Sequence, residues 1–348
     1  MTWRGGRRGA PCPARDRRPM KSEHLELLAC PACGARFRYD PSGPSDQGSG
    51  RLECMSGRHG YAVTNGIPRF VSPDNYAGSF GFQWRAFSRI QLDSRNATGF
   101  SEERFRAITG WTKEDLAGKR VLDAGCGAGR FAEVALKDQA NLVACDLSGA
   151  VEVCSENLGP HRALVCQASI YELPFPDGLF DVVYCIGVVQ HTPDPKGTVR
   201  ALCRKVKPGG RIGLWIYERD WKSYLGTLGF KYLLRPVLSR LPRPLQFSIC
   251  KALVSVFYPL AWLCKPLGIL GKAVMRLLPI ASGHLQTVRL NPPDFKSWVL
   301  LDTFDMYSPA YDLPQTYEAV VEILEDEKFQ GIRRNPHGGL SITAIRRS

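Results

Sequence analysis

KRVLDAGCGAGRFAEVA, residues 119–135, sets the apolar pair Val121-Leu122 just ahead of Asp123, then three glycines, then a second apolar run. The first run fits a short buried strand and Phe131–Leu136 the start of a helix, so Gly125, Gly127 and Gly129 occupy the turn between them. A glycine-rich turn at a helix N-terminus lets backbone approach a bulky ligand. Asp123, at the strand end, would repel a pyrophosphate but can accept from a ligand ammonium. A ligand with an amino-acid end therefore suits this turn better than a dinucleotide. For the glycines taken alone, a tight turn with no ligand is the alternative.

From residue 119 onward, RVLDA, NLVACD, RALVCQ, DVVYCI and GRIGLWIY read as strands, with helical runs near 130–137, 148–157 and 195–206. That alternation predicts a parallel sheet flanked by helices, with ligands bound outside the C-terminal strand ends. Asp146 ends the second strand, where a carboxylate can accept both hydroxyls of a ribose; a solvated turn aspartate is the alternative. At the chain's end a helical TYEAVVEILED precedes two strand-like stretches within DEKFQGIRRNPHGGLSITAIRRS. Neither a GxxxxGKS loop nor a second dinucleotide half is present, so kinase and dehydrogenase chemistry find no support.

Together these pieces resemble the class I S-adenosylmethionine-dependent methyltransferases over residues 119–217. The resemblance rests on Val121-Leu122-Asp123-Ala124-Gly125-Cys126-Gly127-Ala128-Gly129-Arg130, Asp146-Leu147-Ser148, Leu173-Pro174-Phe175 and Lys207-Pro208-Gly209-Gly210. It implies an α/β fold, a seven-stranded Rossmann-like sheet closed by an antiparallel strand pair, with S-adenosylmethionine as cofactor. By that likeness Asp123, Gly125, Cys126, Gly127 and Gly129 hold the methionine portion, Asp146 and Leu147 the ribose, and Ser169 and Ile170 the adenine end. After the fourth strand comes CIGVVQHTPDP, residues 185–195. Gly187 lets backbone pass near the sulfonium, and His191 is the candidate general base. The alternative is a ring that only shapes the pocket floor. Gln190, beside it, can orient an acceptor but cannot take its proton.

The front of the chain carries other chemistry. Cys30 and Cys33 form a CxxC knuckle, and Cys54 and His59 follow about twenty residues later. Two ligand pairs separated by a loop suit a tetrahedral structural zinc; a metal-free ribbon and a redox CxxC are the alternatives. The segment resembles the small zinc-ribbon family that activates certain transfer-RNA methyltransferases, through Cys30-Pro31-Ala32-Cys33, Cys54, Tyr61 and Gly66-Ile67-Pro68. It departs from that family at Gly57, where the pattern has a cysteine. Between ribbon and sheet, NYAGSFGFQWRAFSRIQLDS crowds Tyr76, Phe80 and Trp84 around Gln83, as expected of a lid over the cofactor; simple packing against the large domain is the alternative.

The net charge is +13, and residues 219–290 hold eleven Lys/Arg against one acid. The longest apolar or neutral run there, Ala252–Cys264, spans 13 residues, short of the roughly 20 that cross a bilayer. Cations spaced through apolar residues instead predict helices that roof an acceptor pocket, touch a membrane surface through 221–290, or dock RNA. In DTFDMYSPAYDLPQTYEAVVEIL, Asp305, Tyr307, Tyr311 and Glu318 are acceptor-side candidates. The predicted organisation is a basic tail (1–22), a zinc ribbon (23–72), aromatic lid helices (73–118), a methyltransferase domain (119–218 and 291–348) and a basic, apolar helical cap (219–290). The tail has no apolar signal-peptide core, and Cys145, Cys166 and Cys185 sit in strand-like runs as small hydrophobes, so a cytoplasmic enzyme is expected, with membrane-peripheral contact as the alternative placement. Its expected reaction is methyl transfer to oxygen or carbon of a lipophilic small molecule or secondary metabolite. Methylation of a ribosomal-RNA base is the alternative, although Asn291-Pro292-Pro293 comes too late in the chain to be the nucleobase-amine motif.

Overall fold

The structure is a computed structural model, described for residues 20–41, 49–72, 75–159, 162–219, 227–282 and 292–348. Most of the expected basic tail lies outside these residues, as do the loop 42–48 and the two ends of the expected cap, 220–226 and 283–291.

After a short helix α1 (Ser22–Leu27), four strands make an antiparallel meander: β1 (Phe37–Asp40), β2 (Gly50–Cys54), β3 (Gly60–Thr64) and β4 (Ile67–Arg69). Linker helices follow: α2 (Gly78–Ala86), α3 (Asp93–Asn96), α4 (Phe100–Thr109) and α5 (Lys113–Leu116). The central layer is β5 (Arg120–Ala124), α6 (Arg130–Lys137), β6 (Asn141–Asp146), α7 (Ala150–Leu158), β7 (Leu164–Gln167), β8 (Phe180–Ile186), α8 (Pro195–Lys205) and β9 (Val206–Ile216). Buried on both faces, these strands read as near-continuous apolar runs. Chain order reverses between β5 and β8, which pair in parallel, so their C-terminal ends part to leave a crevice.

The cap contributes α9 (Thr227–Leu238), α10 (Arg243–Cys264) and α11 (Gly268–Arg276). Next come α12 (Pro292–Tyr307), α13 (Tyr317–Asp326), β10 (Phe329–Arg334) and β11 (Leu340–Arg346). β11 inserts antiparallel between β9 and β10, completing the terminal pair expected from the sequence.

Two expectations change. Seven strands were expected, but the sheet has eleven among the described residues, in the order β1-β2-β3-β4-β7-β6-β5-β8-β9-β11-β10. The four extra strands belong to the ribbon, which continues the sheet. β4 pairs in parallel with β7 at Arg69 and Gln167, Phe70 N donates to Gln167 O (2.8 Å), and Arg69 is ion-paired with Glu152. Leu28, Phe37, Leu52, Val63 and Phe70 share one core with Leu164, Cys166, Leu173 and Phe175. The ribbon thus covers what would be an open strand edge, and draws its own stability from that cover.

The second change concerns α12, which the sequence places in the methyltransferase domain. Phe295, Trp298 and Val299 of α12 pack with Val254, Tyr258 and Ala261 of α10, so α12 belongs to the cap. Its far end packs Phe304 and Tyr307 with Cys250 of α10 and Leu238 of α9. α10 buries only the side that faces α12. The stretch Arg243–Arg276 has an 18-residue window of mean hydropathy 1.6, of which 22% is buried, so by length and composition it passes as a candidate span. The run of 13 residues counted in the sequence stopped at Lys265, which the window tolerates. Along α10 and α11, Val256, Leu263, Ile269, Leu270 and Leu277 remain exposed. Burying such a side chain is worth about 1.5–3 kcal/mol, and the cap forgoes that gain at each.

Candidate active site

A cavity of about 580 Å³ opens where the strand ends of β5, β6, β8 and β9 face the lid and the cap. Its floor is the glycine turn. Gly125, at φ +92, has no room for a Cβ against Val188, and a Cβ at Gly127 would fall 2.9 Å from Trp84 Nε1. Gly125, Cys126, Gly127, Asp146, Leu147, Ile170 and Gly187 all line the cavity.

Asp146 is fixed by its neighbours: Gly127 N donates to Oδ2 (2.9 Å), and Ser148 N and Oγ donate to Oδ1 (2.8 and 2.7 Å). Oδ2 keeps an acceptor site toward the cavity. Burial raises this carboxyl, while those three donors hold it down.

Three residues expected on the cofactor do not reach the wall. Asp123 is 3% exposed and lies beneath the glycine turn. Burial first, and Asp146 in addition, push its carboxyl up to about 8 against the lowering effect of the Tyr184 hydroxyl, and Oδ2 has no partner among the described residues. Gly129 caps α6 at φ +90, and a Cβ there would lie 3.2 Å from Cys154 Sγ. Its requirement is helix packing. Ser169 spends its hydroxyl on Tyr171 N (3.3 Å), capping a single turn, and the adjacent Ile170 faces the cavity in its place.

The lid behaves as a helix with two faces. Tyr76, Phe80, Gln83 and Trp84 point into the cavity, at the spacing of one helical side. Phe82, on the other side, packs on Phe247 and Phe304 of the cap (ring centroids 5.5 and 5.7 Å). Aromatic crowding in this linker therefore serves both a pocket wall and a cap seat.

His191 lines the cavity on a single turn after β8, buried between Phe80 and Tyr217, each ring 5.4 Å away. Its Nδ1 lies 3.0 Å from the carbonyl oxygen of Tyr311. A carbonyl only accepts, so Nδ1 carries the proton and Nε2 keeps a lone pair. Nε2 is buried without a partner among the described residues. Burial lowers the imidazole below its usual value, so it is neutral near pH 7.

The acceptor-side candidates divide. Asp305 lines the cavity, accepting from Gln83 Nε2 (3.3 Å) and the Tyr217 hydroxyl (3.2 Å). Tyr307 does not: its ring is in the cap core and its hydroxyl donates to Pro279 O (3.1 Å). Tyr311 stands behind Tyr76, with ring centroids 5.3 Å apart, and serves the site through its carbonyl. Gln190 is fully buried and away from the cavity, with no partner for its amide, and Glu318 is exposed on α13.

Sequence reasoning missed Arg104, Arg130, Tyr217, Lys231 and Asp302, all in the wall. Arg104 rests over Trp215 (4.7 Å) with its Nε unpartnered, and Arg130 donates to Ser101 Oγ (3.0 Å) with Nη2 unpartnered. Asp302 lies near both; burial and Asp305 push its carboxyl up to about 7 against the two arginines. Lys231 pairs with Asp312 (2.6 Å) at 4% and 1% side-chain exposure. Removing one partner of such a pair costs about 3–5 kcal/mol, so this ion pair anchors α9 to the segment after α12. The signal for Arg104 was available: it shares the inward side of α4 with Ser101, Phe105 and Ile108.

Away from the cavity, Cys30, Cys33, Cys54 and His59 bring one ligand atom each to within 4.8 Å of one another. Cys33 and Cys54 sulfurs are 3.3 Å apart, and His59 Nδ1 is 3.6 Å from Cys30 Sγ. Gly57, where a cysteine was expected, forms the tight turn at φ +73 that brings His59 round.

Residues 122–214 match the family described as methyltransferase domain. Similar proteins include ubiquinone biosynthesis O-methyltransferase of Pseudomonas aeruginosa, 36% identical over 34% of this chain and 54% of its own length. That of Thiobacillus denitrificans is 39% identical over 36% of this chain and 56% of its own. The chain thus spans about half the length of the curated relatives it matches. Among solved structures, an S-adenosylmethionine dependent methyltransferase from Mesorhizobium loti aligns over 70% of this chain and 96% of its own, at 15% identity and a TM-score of 0.40.

Proposed function

We propose that this chain is an S-adenosylmethionine-dependent methyltransferase whose acceptor is a hydroxyl oxygen of a lipophilic small molecule. The observation that carries the reading is the pairing, in one cavity, of the glycine turn and Asp146 with the lone pair of His191 Nε2. The cofactor supplies an electrophilic methyl group when bound. Asp146 is suited to its ribose. The Arg104 Nε, unpartnered among the described residues, suits the carboxylate of its amino-acid end, and Asp123, behind the glycine turn, places a carboxyl on the side suited to its ammonium without lining the cavity. The relatives named as O-methyltransferases support oxygen over carbon as acceptor.

His191 Nε2 would accept the acceptor hydroxyl's proton, and the bound cofactor would supply the methyl group to that oxygen, its sulfonium leaving as the thioether. The Tyr311 carbonyl holds the ring in the needed tautomer, and charge appearing on the imidazole is offset by Asp305 and Asp312. Phe80, Trp84 and the cap exclude water, and much of the rate comes from holding oxygen, methyl and sulfur in line. The ribbon is a structural zinc site with three thiolates and one imidazole, whose donor set suits that ion. It braces the sheet edge and takes no part in methyl transfer.

Purified protein with methyl-labelled S-adenosylmethionine, incubated separately with organic extract and undermethylated RNA, tests this reading. Label in a hydroxyl-bearing metabolite is expected. Label in RNA would overturn the acceptor class.

A further inference from the structure

We propose that the outer face of the cap is a docking surface for an anionic lipid bilayer, with α10 and α11 lying in the plane of the headgroups. Leu245, Ala252, Val256, Leu260 and Leu263 recur at helical spacing on the side of α10 opposite Cys250, Val254, Tyr258 and Ala261. The second set is buried against α12, so the first cannot turn inward. The exposed face continues through Leu267, Ile269, Leu270 and Leu277, with Leu263 at 70% and Ile269 at 87% exposure. Ten of the thirteen large hydrophobics exposed among the described residues lie between 233 and 277. A contiguous apolar surface of this kind marks an interaction site.

Charge selects the occupant. Lys251, Lys272 and Arg276 are exposed around the apolar stripe, and residues 227–282 contain no Asp or Glu. A second copy would bring the same cations face to face, whereas anionic headgroups complement them. RNA would leave the Leu/Ile/Val surface uncovered. Because α10 is bound along its length to α12, it lies on the bilayer rather than across it. Pro259 inside α10 is exposed, so it also meets lipid rather than a protein core.

The test uses the full chain sedimented with vesicles of phosphatidylcholine alone and of equimolar phosphatidylcholine and phosphatidylglycerol. Three cations near the surface predict about 100-fold tighter binding to the anionic vesicles, weakened by salt. The doubly substituted V256E/L263E, changed only at exposed positions, should keep its thermal midpoint and lose at least about tenfold of that affinity. K251E/K272E should lose the preference for anionic over neutral vesicles. The proposal is overturned if the wild type stays in the supernatant, or if V256E/L263E sediments equally well. It is also overturned if the wild type is a dimer that V256E/L263E converts to monomer without lipid binding, or if membrane-bound protein resists alkaline carbonate.

Discussion

The wall made by Gly125, Gly127, Asp146 and Gly187 comes from the ends of neighbouring strands, while the facing wall gathers Gln83, Tyr217, Lys231, Asp302 and Asp305 from four separate elements. The first wall is mostly backbone and one carboxylate clamped by three donors. The second is mostly side chains, four of them ionisable, several held by neighbours: Gln83 and Tyr217 on Asp305, Lys231 on Asp312. A backbone wall tolerates few substitutions because the turn itself requires glycine. A side-chain wall can be rewritten one residue at a time, as selection of an acceptor demands.

If the two walls divide the work this way, substitutions should separate turnover from cofactor affinity. The largest effect is expected at His191. His191→Gln keeps an amide donor within reach of the Tyr311 carbonyl but removes the base. Turnover should fall about 10²–10⁴-fold, the usual worth of a general base, while S-adenosylmethionine affinity by calorimetry stays within about twofold. Equal turnover would make the ring a scaffold piece. Asp146→Ala should do the reverse. Removing a buried, charge-assisted acceptor costs about 1.5–3 kcal/mol, so cofactor affinity should weaken about 10–100-fold, with the single-turnover rate at saturating cofactor changed far less. An unchanged affinity would break the assignment of this wall.

The same contrast decides what was legible in the sequence. Glycines at 125, 127 and 129, followed by an acid at the next strand end, are a local pattern whose spacing is dictated by one turn, and it located the floor of the cavity. The strand and helix alternation from 119 to 216 likewise reproduced the parallel layer, because strands buried on both faces need apolar runs. The opposite wall has no such local rule. Asp302 and Asp305 sit one helical turn apart in α12, but only packing on α10 shows which side faces the cavity. Tyr307, two residues past Asp305, points into the cap core. The front segment was legible as a Cys/His cluster and illegible as four more strands of the main sheet, since a single parallel bridge, Arg69 to Gln167, makes the join.

The smallest expected effect concerns Asp123, and its sign distinguishes the two walls again. Burial and the neighbouring Asp146 hold its carboxyl up to about 8, so without ligand it is protonated at pH 7. A ligand ammonium on the cavity side of the glycine turn favours the charged form of the Asp123 behind it, so binding releases that proton. Below about pH 7.5 the ligand's own α-amino group stays charged. Affinity should therefore rise from pH 6 to pH 7 by up to about tenfold, the limit for one released proton. Calorimetry in buffers of different ionisation enthalpy should register that proton. Asp123→Asn should bind more weakly and lose the slope. His191→Gln should leave the slope intact, since burial already lowers that imidazole below its usual value and the proton released is the one on Asp123. A flat profile in the wild type would mean that the ammonium is met by some other group, and that Asp123 only ties the strand end to the turn.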